Sequence, residues 1–220
     1  MSTGYLDLYC ERTDGAFWSE PVNALTNVVF LFAAAAALRL LITYRYRIRG
    51  AGILWLLLLL AVGIGVGSFL FHTVASPWAA VADLLPIALF AMVALGTILS
   101  RFFGYPPFMV AVMIFGVAGL TLLLHVLIPP AWLNGSEVYL VLLATLAWLG
   151  RDLRRSDEIS GRHLQFMAAT FAVSLVFRSV DLWVCDWLPI GTHFLWHLLN
   201  GSVVYGMLAV LIDRSMRWYP

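Results

Sequence analysis

No lysine occurs anywhere in the 220 residues, so all 13 basic residues are arginines. Light-driven retinal proteins, which need a lysine for their Schiff base, are thereby excluded. Charge of either sign is scarce: 11% of residues are charged and 62% are hydrophobic, far too apolar for a soluble domain of this length. There is no low-complexity tract, no long linker and no convincing internal repeat, which points to a single domain over residues 1–220. The first 20 residues lack the apolar core of a cleavable signal peptide and hold Asp7, Glu11, Asp14 and Glu20 instead. The net charge of +1 gives no pointer to nucleic acid.

What the chain does have is apolar runs. A helix needs about 20 apolar residues to cross a bilayer. Seven segments are predicted to do so, at roughly 22–42, 51–72, 78–100, 106–128, 137–150, 163–182 and 190–212, the fifth short and the sixth interrupted by Arg178. The expected fold is an all-α seven-transmembrane bundle. Arg39, Arg45, Arg47 and Arg49 follow the first span, Arg101 the third, Arg151, Arg154, Arg155 and Arg162 the fifth, and Arg214 and Arg217 the seventh. The opposite side offers only Arg12, plus Arg178 within a span. By the positive-inside rule the N-terminus, with an acidic segment at 1–21, lies outside and the C-terminus is cytoplasmic. Trp18, Trp78, Trp132, Trp183 and Trp187 gather at outer boundaries as an aromatic belt would. Cys10 and Cys185, the two cysteines, both fall outside, where a disulfide or two buried free thiols would each be compatible with the sequence.

This topology puts five reactive side chains at one membrane level. Ser68 and His72 end the second span, Asp83 lies near the start of the third, and His193 and His197 open the seventh. Ionisable groups inside a span are functional candidates because they are costly there. Ser68 and His72 are four apart, as are His193 and His197, so each pair shares a helix face. Two histidines at that spacing grip one metal ion, and His72 supplies a third nitrogen. Three protein ligands and one open position are the catalytic form of a zinc site, which lowers the pKa of water to about 7. Asp83 is placed to move a proton and Ser68 to steady an oxyanion.

Blander readings compete at each position. A lone intramembrane histidine also satisfies a neighbouring carbonyl. Asp83 also suits an ion pair with Arg178, although Asp181, three residues from Arg178, is the preferred partner. Gly63, Gly65 and Gly67 look like a close-packing stripe. Asn23 and Asn27 are expected to bond across helices, His125 to sit alone at the interface, and His163 to be solvated. Glu11, Glu20, Asp7 and Asp14 are dense enough in oxygen to hold calcium, or form a solvated acidic lid.

The set Ser68-x3-His72, Asp83 and His193-x3-His197 resembles the alkaline ceramidase family, part of a superfamily of seven-helix membrane hydrolases that includes the adiponectin and progestin receptors. The similarity extends through GSFLFHTVASPWAAVADLLPI, through DLWVCDWLPIGTHFLWHLLNGSVVY, and through YCER followed by SEPVNALTN. The resemblance implies zinc at His72, His193 and His197, a water-activating Asp83, an oxyanion-stabilising Ser68, a Cys10–Cys185 disulfide, and calcium at Glu11 and Glu20. Leu8 stands where the animal enzymes have aspartate, leaving Asp7 or Asp14 as substitutes. Thr13 replaces an asparagine, and the stretch from Glu11 to Glu20 is shorter.

The expected activity is therefore zinc-dependent hydrolysis of a lipid amide, ceramide to fatty acid and sphingoid base, with Zn2+ and possible Ca2+ as cofactors and a membrane lipid as partner. Short loops and an Ala-, Leu- and Arg-rich composition point to a bacterial inner-membrane protein with its site near the extracytoplasmic face. Another lipid amide or ester, or a receptor-like or lipid-binding protein with structural zinc, are the alternatives. A transporter would carry polar residues through the full membrane depth; here they concentrate at one end.

Overall fold

The computed structural model describes residues 4–217; residues 1–3 and 218–220 of the expected domain lie outside the described residues. Among the described residues every regular element is helical. In chain order these are α1 (Pro21–Thr26), α2 (Val28–Thr43), α3 (Gly52–Val74), α4 (Pro77–Phe103), α5 (Pro107–Leu127), α6 (Pro130–Leu133), α7 (Leu140–Leu153), α8 (Glu158–Val180) and α9 (His193–Arg217), with 3-10 turns at Ser136–Tyr139 and Asp181–Trp183.

Six stretches are long and apolar enough to cross a membrane: Pro21–Thr43 (α1 and α2 about the turn at Asn27), α3, α4, α5, Glu158–Trp183 and α9. The chain is a multi-pass integral membrane protein. The fifth expected span is the exception. Pro129, Pro130 and Gly135, with Gly135 at φ 73°, delay its helix to Leu140, leaving 14 residues. That is about 21 Å of helix, against a hydrocarbon core of about 30 Å. α8 begins five residues earlier than its hydropathy predicts, because the Asp157 carboxylate accepts from the Ser160 N–H (3.1 Å) and caps it.

Packing is tightest between α3 and α4, where the glycine stripe lies. A Cβ at Gly67 would overlap the Ala82 carbonyl, Gly63 rests on Pro86, and Gly65 faces Phe30 and the Asn27 carbonyl. Small residues let helix backbones approach in this way. α5 buries none of its residues and turns an apolar surface outward, as a lipid-facing helix does.

The two ends of the bundle differ. At one, the buried Arg101 donates to the Ser215 hydroxyl and the Gly50 carbonyl (2.8 Å), and Arg214 donates to the Arg101 carbonyl (2.8 Å). At the other, the N-terminal segment folds over the helix ends. Leu6 N–H donates to the Ala75 carbonyl (2.7 Å), Tyr9 packs on Phe71, and Cys10 is disulfide-bonded to Cys185. Trp18, Trp78, Trp132, Trp183 and Trp187 are all exposed at this second end.

Candidate metal centre

α3 carries His72 in its last turn and α9 carries His193 and His197 in its first two, all three fully buried. Their ring centroids are 5.2 Å (His72–His193), 4.9 Å (His72–His197) and 4.6 Å (His193–His197) apart. One nitrogen from each lies within 4.8 Å of the others. His72 Nε2, His193 Nδ1 and His197 Nε2 have no hydrogen-bond partner. Buried polar atoms are almost always paired, so three clustered histidines, each with an unpaired ring nitrogen, are what a metal site requires.

The surroundings fix which nitrogen is free. His72 Nδ1 lies 2.6 Å from Glu20 Oε2, a carboxylate that only accepts, so the proton sits on Nδ1 and Nε2 keeps its lone pair. His197 Nδ1 lies 2.9 Å from the Thr26 hydroxyl. That hydroxyl has one hydrogen, which it gives to the carbonyl of Val22 (2.8 Å) or Asn23 (3.0 Å), so its oxygen accepts from Nδ1–H and Nε2 is again free. Such partners orient metal-binding histidines and fix their tautomer. The His193 ring is held by stacking on Tyr9, at 3.6 Å and 15°.

Asp83 and Ser68 approach across the α3–α4 contact that Gly67 makes possible. Ser68 is buried, with its hydroxyl against the Asp83 carboxylate, and Arg178 is the cation near that carboxylate. Asp83 Oδ1 is buried with no partner. Its carboxylate stands outside the close nitrogen triad.

The acidic segment is arranged differently. Glu11 and Glu20 are buried; Asp7 and Asp14 are exposed. The structure does not gather these four around one point: among the described residues, the histidine trio is the group whose ligand atoms converge. Glu11 accepts from the N–H groups of Val22 (2.7 Å) and Asn23 (2.8 Å), opening α1. Burial pushes its carboxyl above the ordinary value, partly offset by those two bonds. Glu20 accepts from Arg12 Nε and Asn23 Nδ2 (3.1 Å) as well as from His72. Burial alone would raise its pKa, but the hydrogen bond from His72 and the charge and hydrogen bond of Arg12 outweigh it and hold the carboxyl below its ordinary value.

Several pairings differ from the sequence reading. The expected Arg178–Asp181 bridge is replaced by two separate roles. Asp181, fully buried, accepts from the N–H groups of Thr192 (2.6 Å), His193 (2.9 Å) and Cys10 (3.0 Å), so it caps α9 and anchors the N-terminal segment. Gly191, at φ 63°, is needed there because a Cβ would strike the Asp181 carboxylate. Arg178 donates to the Tyr9 hydroxyl, with its guanidinium over the rings of Tyr9 (5.5 Å), Tyr139 (5.8 Å) and Trp196 (5.5 Å). His125, expected to be alone, pairs with the buried Glu137 at 2.9 Å. Asn23 and Asn27 bond locally, Asn27 to the Asn23 carbonyl and Asn23 to Glu20. His163 is exposed.

An apolar cavity lies inside the bundle, lined mainly by α4, α7, α8 and α9 and reaching neighbours of the histidines rather than the histidines themselves. Phe30, edge-on to His197, and Trp196, beside His193, line its upper part; Leu146 and Met207 lie further along. A family model described as Ceramidase matches residues 9–216. The chain belongs to the ceramidase family. That membership makes it a hydrolase acting on amide bonds, and the apolar helices put the work of this ceramidase-family chain in a membrane. No curated protein matches it.

Proposed function

We propose that the protein is a zinc-dependent lipid amidase that hydrolyses ceramide, or a closely related lipid amide, to a fatty acid and a sphingoid base. The observation that carries this reading is the cluster of three buried histidines, each with a ring nitrogen that has no partner and each offering a nitrogen within 4.8 Å of the others. Three neutral imidazoles suit zinc, and a site with three protein ligands is the catalytic form. Bound there, zinc would polarise the amide carbonyl and lower the pKa of water.

The chain's own residues do the rest. Glu20 and Thr26 hold His72 and His197 in the metal-accepting tautomer. Asp83 takes a proton from the attacking water and returns one to the leaving amine, so that one water is added across the C–N bond. Ser68 donates a hydrogen bond to the carbonyl oxygen as it becomes negative. The apolar cavity below Trp196 takes the acyl chain and keeps bulk water from it. Counting α7 with its leading 3-10 turn as a thin fifth span gives seven crossings, an odd number. The arginine-rich end is then cytoplasmic, and the N-terminus and the site face outward, in keeping with a bacterial inner membrane.

The test is elemental analysis of detergent-purified protein together with fatty-acid release from ceramide. The expected result is about one zinc per chain and chelator-sensitive release. Zinc without release from ceramide would move the substrate to another lipid amide. Folded protein without zinc would overturn the reading.

A further inference from the structure

The acidic N-terminal segment contains a cation of its own. The Arg12 side chain is fully buried. Its guanidinium gives one hydrogen bond from each nitrogen: Nε to Glu20 Oε1, Nη1 to the Asp14 carbonyl (3.0 Å) and Nη2 to the His72 carbonyl (2.9 Å). It also lies over the Tyr5 ring at 5.8 Å. One rigid, permanently charged fork thus joins the N-terminal segment, the start of α1 and the end of α3.

Calcium, which the family resemblance implies for this segment, does not fit the same residues. Calcium takes six to eight oxygens at about 2.3–2.6 Å. Here the oxygens already face positive hydrogens. Both Glu11 oxygens accept from the backbone at the head of α1, Glu20 Oε1 accepts from Arg12, and Glu20 Oε2 accepts from His72 and Asn23. Asp14 Oδ1 accepts from the Ala16 N–H (2.9 Å), and Asp7 is exposed. Leu8 offers no carboxylate where the resemblance would place one.

We propose that Arg12 is a resident cation occupying the place of calcium, and that it acts through Glu20 as a positioning residue for His72. The guanidinium fixes Glu20 Oε1, the other oxygen of the same carboxylate then holds His72 Nδ1–H, and the free Nε2 of His72 is aimed at His193 and His197. The metal centre consequently needs no divalent cation beside zinc. The part of this proposal that concerns His72 as a ligand rests on the zinc reading above; the part that concerns calcium does not.

The experiment uses full-length protein in detergent, stripped of metal and reloaded with zinc. Zinc affinity is read by competition with a chromophoric chelator, and folding by the melting temperature. Adding about 10 mM CaCl2, above the weakest affinities of calcium modules, should leave both unchanged in the wild type. Arg12→Gln and Glu20→Gln should each weaken zinc about 10- to 100-fold, the usual cost of losing an outer partner of a metal ligand. Glu20→Gln is nearly isosteric, so it carries this arm if Arg12→Gln does not fold. A wild-type melting temperature raised by several degrees, as calcium at about ten times its Kd would do, overturns the proposal. So does zinc affinity within about twofold of wild type in the folded variants, against the expected loss. If the wild type binds no zinc, the zinc reading fails, and the calcium titration alone decides whether Arg12 stands in for that ion.

Discussion

The two ends of the bundle are both polar, and they use polarity in opposite ways. At the arginine end, Arg101 and Arg214 donate to Gly50, Ser215 and the Arg101 carbonyl, tying the loop after α2 and the ends of α4 and α9 together. At the histidine end, polar atoms are left over. Among the described residues, every buried side-chain nitrogen or oxygen without a partner belongs to this half: His72, Asp83, His193 and His197, with Asn23, Asn27, Ser136, Glu137 and Arg178 around them. Each such atom costs about 1–3 kcal/mol when nothing binds it. One end is thus bonded for stability, and the other is held ready for something outside the chain.

The sharpest way to break that contrast is to remove a ligand. His197→Ala should lose bound zinc and fatty-acid release together; zinc retained at full stoichiometry would mean that His197 is only a packing group. Asp83→Asn comes next. It should keep zinc but lose about 10²- to 10⁴-fold in turnover, the usual share of a general base; wild-type rates would remove Asp83 from the chemistry. Gly67→Ala forces a methyl onto the Ala82 carbonyl. Overpacking of this kind costs about 1–3 kcal/mol, visible as a lower melting temperature, and it should slow turnover by shifting Asp83. At the opposite end, Ser215→Ala should cost about 1 kcal/mol for the lost hydrogen bond and leave zinc stoichiometry and rate untouched. A fall in zinc content there would erase the division between the ends.

The smallest effect is a pH dependence. The Glu20 carboxyl is held below its ordinary value of 4.5, so its contribution is fully present above that pH and fades as pH falls through the folded pKa. Melting temperature measured from neutral to acid should therefore decline more steeply in the wild type than in Glu20→Gln.

The helices were legible because hydropathy runs and arginine placement are properties of the linear chain. The start of α7 was less so, because Pro129, Pro130 and Gly135 interrupt a segment whose composition still looks apolar. His193 and His197 announce themselves by spacing on one helix, and His72 by membrane depth. Their supports do not. Glu20 meets His72 across 52 residues and Thr26 meets His197 across 171, and no periodicity links such positions. Glu20 did leave a signal, standing directly before Pro21 at a helix start, but a carboxylate there reads equally well as an ion ligand or a helix-terminal group. Arg12 was read only as a topological exception. Asp181 was assigned to its nearest arginine, while its geometry answers to the open N–H groups of α9.

The disulfide joins residues 175 positions apart, and the histidines it covers come from the third and the last helices. During synthesis His72 is made early, and it must wait for almost the whole remaining chain before His193 and His197 exist. Cys10 waits longer still, across 175 positions, for Cys185. The metal centre can therefore be assembled only after the last helix has entered the membrane, and an incompletely inserted chain has no means of closing it. If the site holds zinc as proposed, retention of the ion doubles as a certificate that biogenesis has finished.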